Sequence, residues 1–171
     1  VAASDAAESM SPKIVDLEEL SARSEKLRAA GKKVVATNGC FDLLHVGHVR
    51  YLQAARALGD LLVVGLNDDA SVRELKGTGR PITTAGDRAE ILAALECVDL
   101  VAIFPEVQAT RFIAASRPAI YVKGGDYTFE TLDKQERAML KEIGAEIRLV
   151  PFEQDYSTSR LIDQICRRSG S

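Results

Sequence analysis

The chain has 171 residues, of which 46% are hydrophobic, and a formal net charge of −3. That length suits one domain with a sizeable core. The mildly acidic balance argues against broad nucleic-acid or anionic-membrane binding, and no apolar run is long enough to cross a bilayer.

The opening residues, VAASDAAESMSP, lack the basic start and apolar centre of a signal peptide. Residues 1–12 are expected to be disordered, and residues 13–171 to form one domain. Cys40, Cys97 and Cys166 show no paired spacing, which points to reduced thiols in a cytoplasmic protein. From Asp16 onward, Leu17, Leu20, Ser24 and Leu27 share one helical face, with Asp16 and Glu19 as a cap and Gly31 as the stop. This helix reads as core cover ahead of the first strand, 33–37. A second helix runs to about 58 on Val49, Leu52, Ala55 and Leu58. Residues 61–66 are apolar throughout, as in a strand covered on both faces. Asn67-Asp68-Asp69 ends that strand and caps a helix over 69–75.

A loop from Lys76 to Ile82 follows, with two glycines, two cations and a proline. Helices are then predicted over 84–95, 106–116 and 131–143, and strands over 98–104, 119–122 and 146–150. A last helix, opened by Asp155 to Arg160, carries Leu161, Ile162, Ile165 and Cys166. Strands alternating with helices predict an α/β fold, with a Rossmann-like, doubly wound, parallel five-stranded sheet. In such folds ligands lie at the carboxyl ends of the strands, where the strand order reverses.

The stretch Thr37-Asn38-Gly39-Cys40-Phe41-Asp42-Leu43-Leu44-His45-Val46-Gly47-His48 sits at a strand-to-helix turn. Gly39 is expected to take a backbone angle that a side chain resists, and Gly47 to let another group approach the helix closely. The first turn of the helix has unpaired N–H groups and the positive end of the dipole. His45 and His48, three apart, share a face there and suit a polyphosphate. They can donate to phosphate oxygens as charge moves onto them. Two histidines without further ligands at metal spacing do not make a structural zinc site, and no metal-ligating residue is expected.

Other stretches carry two readings each. Lys76 and Arg80 form either an anion clamp on a lid or a solvated loop. Ser157-Thr158-Ser159 either caps the last helix or holds a phosphate, with Arg160 adding charge. Lys123, Gly124 and Asp126 contact a ligand or form a tight turn.

GCFDLLHVGH after an apolar strand resembles the signature of the nucleotidyltransferases that include the cytidylyltransferases. LNDDASVRELKGTGRPI, DRAEILAAL and YVKGGDY narrow the likeness to the D-glycero-β-D-manno-heptose-1-phosphate adenylyltransferases, over about 30–166. The hydroxyl cluster is similar to an ISTS-like segment of related transferases, with Tyr156 in place of the usual Ile. The RTEGIST of glycerol-phosphate and choline-phosphate cytidylyltransferases is absent.

The resemblance implies that ATP and heptose-1-phosphate give ADP-heptose and pyrophosphate, for lipopolysaccharide or another surface glycan. It implies Mg²⁺ held mainly by the ATP phosphates. His45, His48 and Lys76 are then catalytic, and Cys40 is no nucleophile, since the family forms no covalent intermediate. Asn38, Gly39, Cys40, Phe41, Gly47, Lys123, Gly124 and Asp126 accompany the two histidines on the nucleotide, with Ser157, Thr158 and Ser159 on its β/γ end. Asp42, Asn67, Lys76 and Arg80 are expected on the substrate side, with Asp42 alternatively structural or one step removed from the metal. In many bacteria this activity is fused behind a sugar kinase, and with no kinase region here a stand-alone form is expected. A homo-oligomer, with a dimer favoured, is also expected. The alternatives are a cytidylyl- or flavin-adenylyl-type enzyme of the same fold, and a nucleotide-binding regulator without turnover.

Overall fold

The structure, a computed structural model, describes residues 11–124, 127–128, 130–151 and 156–169. Residues 1–10 and Asp126 lie outside the described residues, and with them those two expectations. Ser11 and Pro12 are tied down, since their carbonyls accept from the Ile14 N–H and from Arg23 Nη1.

The sheet has six parallel strands in the order β1-β4-β3-β2-β5-β6. They are β1 (Ile14–Val15), β2 (Val34–Gly39), β3 (Leu61–Asn67), β4 (Leu100–Phe104), β5 (Ile120–Gly124) and β6 (Glu146–Val150). The helices are α1 (Leu17–Ala29), α2 (Val46–Arg56), α3 (Asp69–Lys76), α4 (Ala85–Ala93), α5 (Thr110–Ser116), α6 (Lys134–Glu142) and α7 (Thr158–Ser169). The expected five strands become six because Ile14 and Val15 pair with Val101 and Ala102 of β4. Two residues are too few to show a period of two.

Alternation along the strands divides the core. Val35, Leu62, Val64, Leu66 and Val122 face Tyr51, Leu52 and Ala55 of α2 and Ala89 and Leu92 of α4. Val34, Ala36, Val63, Ala102 and Tyr121 face the other way, onto Leu20, Phe112, Ile113 and Leu140 of α1, α5 and α6. Burial on both faces explains the unbroken apolar run of β3. As read from the sequence, Asp16 caps α1, accepting from the Glu19 N–H, and Asp68 caps α3, accepting from the Ser71 N–H.

After β1 at the edge, the chain enters the centre of the sheet at β2, winds outward through β3 to β4 beside β1, and returns to add β5 and β6 on the other side. The order therefore reverses between β2 and β5, where a crevice opens at their carboxyl ends. Tyr51 of α2 spans this point from below. Its hydroxyl donates to the Val122 carbonyl at 3.2 Å and lies 2.7 Å from Thr37 Oγ1.

Two helices begin later than predicted, α6 at Lys134 instead of 131 and α5 by a wider margin. α5 starts at Thr110 instead of 106. The Glu106 carbonyl accepts from Asn67 Nδ2, and the Ala109 N–H donates to Glu136 Oε1, so side chains satisfy this backbone in place of a helical turn.

Gly65 sits beneath Phe112, and a Cβ there would lie 2.8 Å from the ring. Phe112 is fully buried against Phe104 and has nowhere to retreat. Gly65→Ala is expected to cost about 1–3 kcal/mol by overpacking. A urea melt whose midpoint does not fall would show that the ring can move.

Candidate functional site

A cavity of about 590 Å³ occupies the crevice. The motif turn forms its floor. β2 runs on through Asn38 and Gly39, two residues beyond the predicted end. Phe41, at φ 44°, takes the left-handed conformation that turns the chain. Gly39 was expected to hold that conformation and does not. It is needed because the Phe41 ring lies 3.0 Å from where its Cβ would be. Phe41 is buried and also packs on His48, with ring centroids 5.4 Å apart.

His45 is the N-cap of α2 and His48 its third residue. Their ring centroids lie 3.9 Å apart, with the two planes tilted by 31°. The His45 backbone N–H donates to His48 Nδ1 at 3.4 Å, which leaves Nε2 as the protonated nitrogen of a neutral His48. Burial, then the neighbouring His45, lowers the His48 pKa from 6.5 to about 4. Burial lowers His45 as well. At neutral pH His48 is thus a fixed dipolar donor and not a cation. Gly47 lies behind this pair, outside the cavity lining. A Cβ on it would come within 3.0 Å of both His45 Nδ1 and Tyr156 Cβ, so the expected close approach is made by protein groups.

The start of α7 lies beside the motif. Ser157 Oγ accepts from the Arg160 N–H, so Ser157 does cap the helix. Thr158 Oγ1 donates to the Leu43 carbonyl at 3.3 Å, docking α7 on the motif. Ser157, Thr158 and Ser159 all line the cavity. Two helix N-termini therefore flank one space, a setting for a polyanion.

Lys76, the last residue of α3, and Arg80 line the cavity from its rim, on a loop where Gly77 and Gly79 have φ of 91° and 89°. Arg80 Nε is paired with Asp42 Oδ2. Asp42 is buried, and its Oδ1 accepts from the Ile82 N–H at 2.7 Å and the Thr83 N–H at 3.3 Å. Burial raises the Asp42 pKa, but Arg80 and the two N–H groups outweigh it and hold the carboxyl below its usual range. Asp42 thus ties the loop to the motif. Asn67 is similarly committed, its Nδ2 donating to the Glu106 carbonyl at 3.1 Å. Burial pushes the Cys40 thiol up, against the lowering effect of Lys76, Arg88 and Arg80, which suits a turn residue and not a nucleophile.

Beyond the expected residues, Tyr51, Leu75, Val107, Gln108, Tyr127, Thr131, Asp133 and Glu136 also line the cavity. Lys123 Nζ donates to Asn38 Oδ1 at 2.8 Å and faces Glu136 Oε2 at 3.4 Å. Asp133 caps α6, its Oδ1 accepting from the Gln135 and Glu136 N–H groups. Glu136 looked like one more polar residue of an exposed helix, yet it is buried. Among the described residues no three His, Cys, Asp or Glu side chains gather as a metal-holding group.

The cytidylyltransferase-like family matches residues 36–164, which include the whole motif and both helix N-termini. The chain belongs to that family. Its members with similar sequences include the bifunctional protein HldE of Geobacter metallireducens, 51% identical over 92% of this chain and 32% of the relative. The bifunctional protein HldE of Helicobacter pylori is 51% identical over 91% of this chain and 32% of the relative. The chain thus spans about a third of the length of these curated relatives. The lipopolysaccharide core biosynthesis protein of Thermoplasma volcanium superposes with a TM-score of 0.60 at 28% identity, covering 74% of this chain and all of that one. A pantoate-beta-alanine ligase from Francisella tularensis, at 14% identity and a TM-score of 0.54 over 82% of this chain and 67% of that one, shares the fold alone.

A neutral, buried His48 makes stability depend on pH. Its folded pKa lies below its unfolded one, so the unfolded chain gains a proton first as pH falls. Its contribution is full above pH 6.5 and is lost as pH falls towards about 4. His48→Gln is expected to flatten the drop in melting temperature over that interval. An unchanged pH profile would mean that burial does not hold His48 neutral.

Proposed function

We propose that the chain is an adenylyltransferase that moves AMP from ATP to heptose-1-phosphate, giving ADP-heptose and pyrophosphate for lipopolysaccharide or another surface glycan. The observation that carries this reading is the convergence of two helix N-termini, His45, His48 and Lys76 on one cavity at the strand-order switch. The substrate assignment is supported by the YVKGGDY and LKGTGRPI stretches and by the HldE relatives.

An oxygen of the sugar phosphate attacks the α-phosphorus of ATP. That bond forms while the bond from the α-phosphorus to the pyrophosphate bridging oxygen breaks, and pyrophosphate leaves with the electron pair. The attacking phosphate is already anionic near neutral pH, so no general base is needed. The protein's work is alignment and charge stabilisation. His48 donates through Nε2–H to phosphate oxygens as charge develops, and His45 holds its neighbour's ring in register. The N–H groups opening α7, with the hydroxyls of Ser157 and Ser159, take the β and γ phosphates, while Thr158, donating to the Leu43 carbonyl, holds the helix start in place. Lys76 neutralises charge at the cavity rim. Arg80, held by Asp42, contributes field in place of a mobile clamp. Gly39, Cys40 and Phe41 shape the floor on which the nucleotide lies, and Gly47 behind it leaves room for the His45 ring.

Mg²⁺ bound mainly by the triphosphate oxygens would offset part of their charge. No helix among the described residues is long and apolar enough to cross a membrane, and a cytoplasmic site of action suits the nucleotide substrate. A homodimer remains part of the reading, with exposed Leu149 and Ile165 as apolar surface for a second copy to cover.

Pyrophosphate release from ATP, CTP, GTP and UTP with the same heptose-1-phosphate tests the assignment. ATP is expected to be used far better than the rest, because a site paired to the adenine edge leaves polar groups unpaired with another base. Equal or better rates with CTP would replace the adenylyl reading with a cytidylyl one. No release with any nucleotide would favour a binding protein without turnover.

His48→Ala should lower turnover about a hundred- to a thousandfold, as for a lost oxyanion donor, with a smaller change in ATP affinity. Near-normal turnover in the folded variant would remove His48 from the mechanism.

A further inference from the structure

The cavity has two chemically different ends. One holds the imidazoles and both helix N-termini. The other, at the carboxyl end of β5, holds Asn38, Lys123, Asp133 and Glu136, all on its lining. There the charges are one cation and two carboxylates, an unfavourable balance for a phosphate. Mixed donors and acceptors with little net positive charge suit hydroxyl groups, which both give and take hydrogen bonds.

Glu136 organises this end. It is buried, with Oε1 accepting from the Ala109 N–H at 2.7 Å and Oε2 facing Lys123 Nζ at 3.4 Å. Lys123 is also buried and passes the constraint on, donating to Asn38 Oδ1. The Tyr121 hydroxyl donates to the same oxygen. Two donors on Oδ1 set the orientation of the Asn38 amide and make its Nδ2 the donor side. Of the three ammonium hydrogens of Lys123, one goes to Asn38 and one to Glu136, leaving a third for a ligand. Burial favours the neutral amine, and Glu136 is the main group opposing that.

We propose that Glu136 is a positioning residue for the transfer, holding Lys123 and through it Asn38 as a fixed donor pair that reads the hydroxyls of a sugar ring in the substrate. The inference rests on the adenylyltransferase reading for the identity of that sugar, which is either the ribose of ATP or the acceptor sugar. Gln cannot replace Glu136. It has one acceptor oxygen, and its amide would face either the Ala109 N–H or the Lys123 ammonium, both donors.

The test compares wild type, Glu136→Gln, Lys123→Met and the double variant. Affinities for pyrophosphate and for ATP come from calorimetry, and KM and kcat for ATP and heptose-1-phosphate from pyrophosphate release. Glu136→Gln is expected to weaken ATP or heptose-1-phosphate about tenfold, the loss of a charge-assisted hydrogen bond, with a smaller change in kcat. Pyrophosphate, which carries no hydroxyl-bearing ring, should bind as to wild type. The substrate whose KM rises identifies the ring. On the Lys123→Met background Glu136→Gln should add little, since it acts through Lys123.

Equal weakening of pyrophosphate, unchanged KM for both substrates, or additive losses in the double variant would overturn the proposal. If Glu136→Gln does not fold, Lys123→Met alone must raise the same sugar-selective KM, and failure to do so overturns it equally. A wild-type protein that binds ATP without turning over would refute the proposed reaction, while the pyrophosphate and ATP affinities would still decide the role of Glu136 towards the ribose.

Discussion

The guanidinium of Arg88 holds the working end of the sheet together. Its side chain has no exposure to solvent, so its donors must be met inside the protein. Nη1 donates to the Cys40 carbonyl at 2.6 Å and the Asn67 carbonyl at 2.9 Å, at the ends of β2 and β3. Nε donates to the Thr83 carbonyl, closing the glycine loop, and Nη2 pairs with Asp69 at the start of α3. The ends of parallel strands expose carbonyls with no further partner in the ladder. One buried cation collects them, and the loops that carry Lys76, Arg80 and the motif are set relative to each other. Removing one partner from such a network leaves a buried charge or carbonyl unmet, which costs several kcal/mol.

A second tie works from the other side. Asp42 receives Arg80 and the N–H groups of Ile82 and Thr83, and its own carbonyl accepts from Thr83 Oγ1. Arg88 thus gathers carbonyls while Asp42 gathers N–H groups, and both act on the same loop. The polar residues around the cavity are largely spent on each other. Few of them wait for a ligand, and those that do lie on helix starts and strand ends whose backbone is already fixed. That arrangement favours a site organised before substrate arrives.

Much of this was legible in the sequence because it rests on local rules. Strand-helix alternation revealed the parallel sheet, and the i, i+3 spacing of His45 and His48 placed them on one face. Ser157 and Asp68 read as caps and are caps. What escaped depends on distant partners. Ile14 and Val15 are a strand only because β4 offers an edge. Residues 106–109 abandon a helical turn because Asn67 and Glu136 satisfy their backbone from elsewhere. Gly39 was read as the residue with the unusual angle, but Phe41 carries it and Gly39 makes room for the ring. Glu136 and Arg88 had no mark in a single sequence, since an ionic residue on an amphipathic helix is normally solvated. Their burial follows from the packing of α6 and α4 against strand ends far away in the chain.

The Cys40 thiol has a consequence for the chemistry of the cavity lining. The thiolate, not the thiol, is the nucleophile that attacks peroxides and disulfides. Three cations near the motif would ordinarily favour the thiolate, yet burial prevails and keeps the sulfur protonated. The cavity lining therefore includes a cysteine whose sulfur its surroundings keep in the protonated form, the one less reactive towards oxidants.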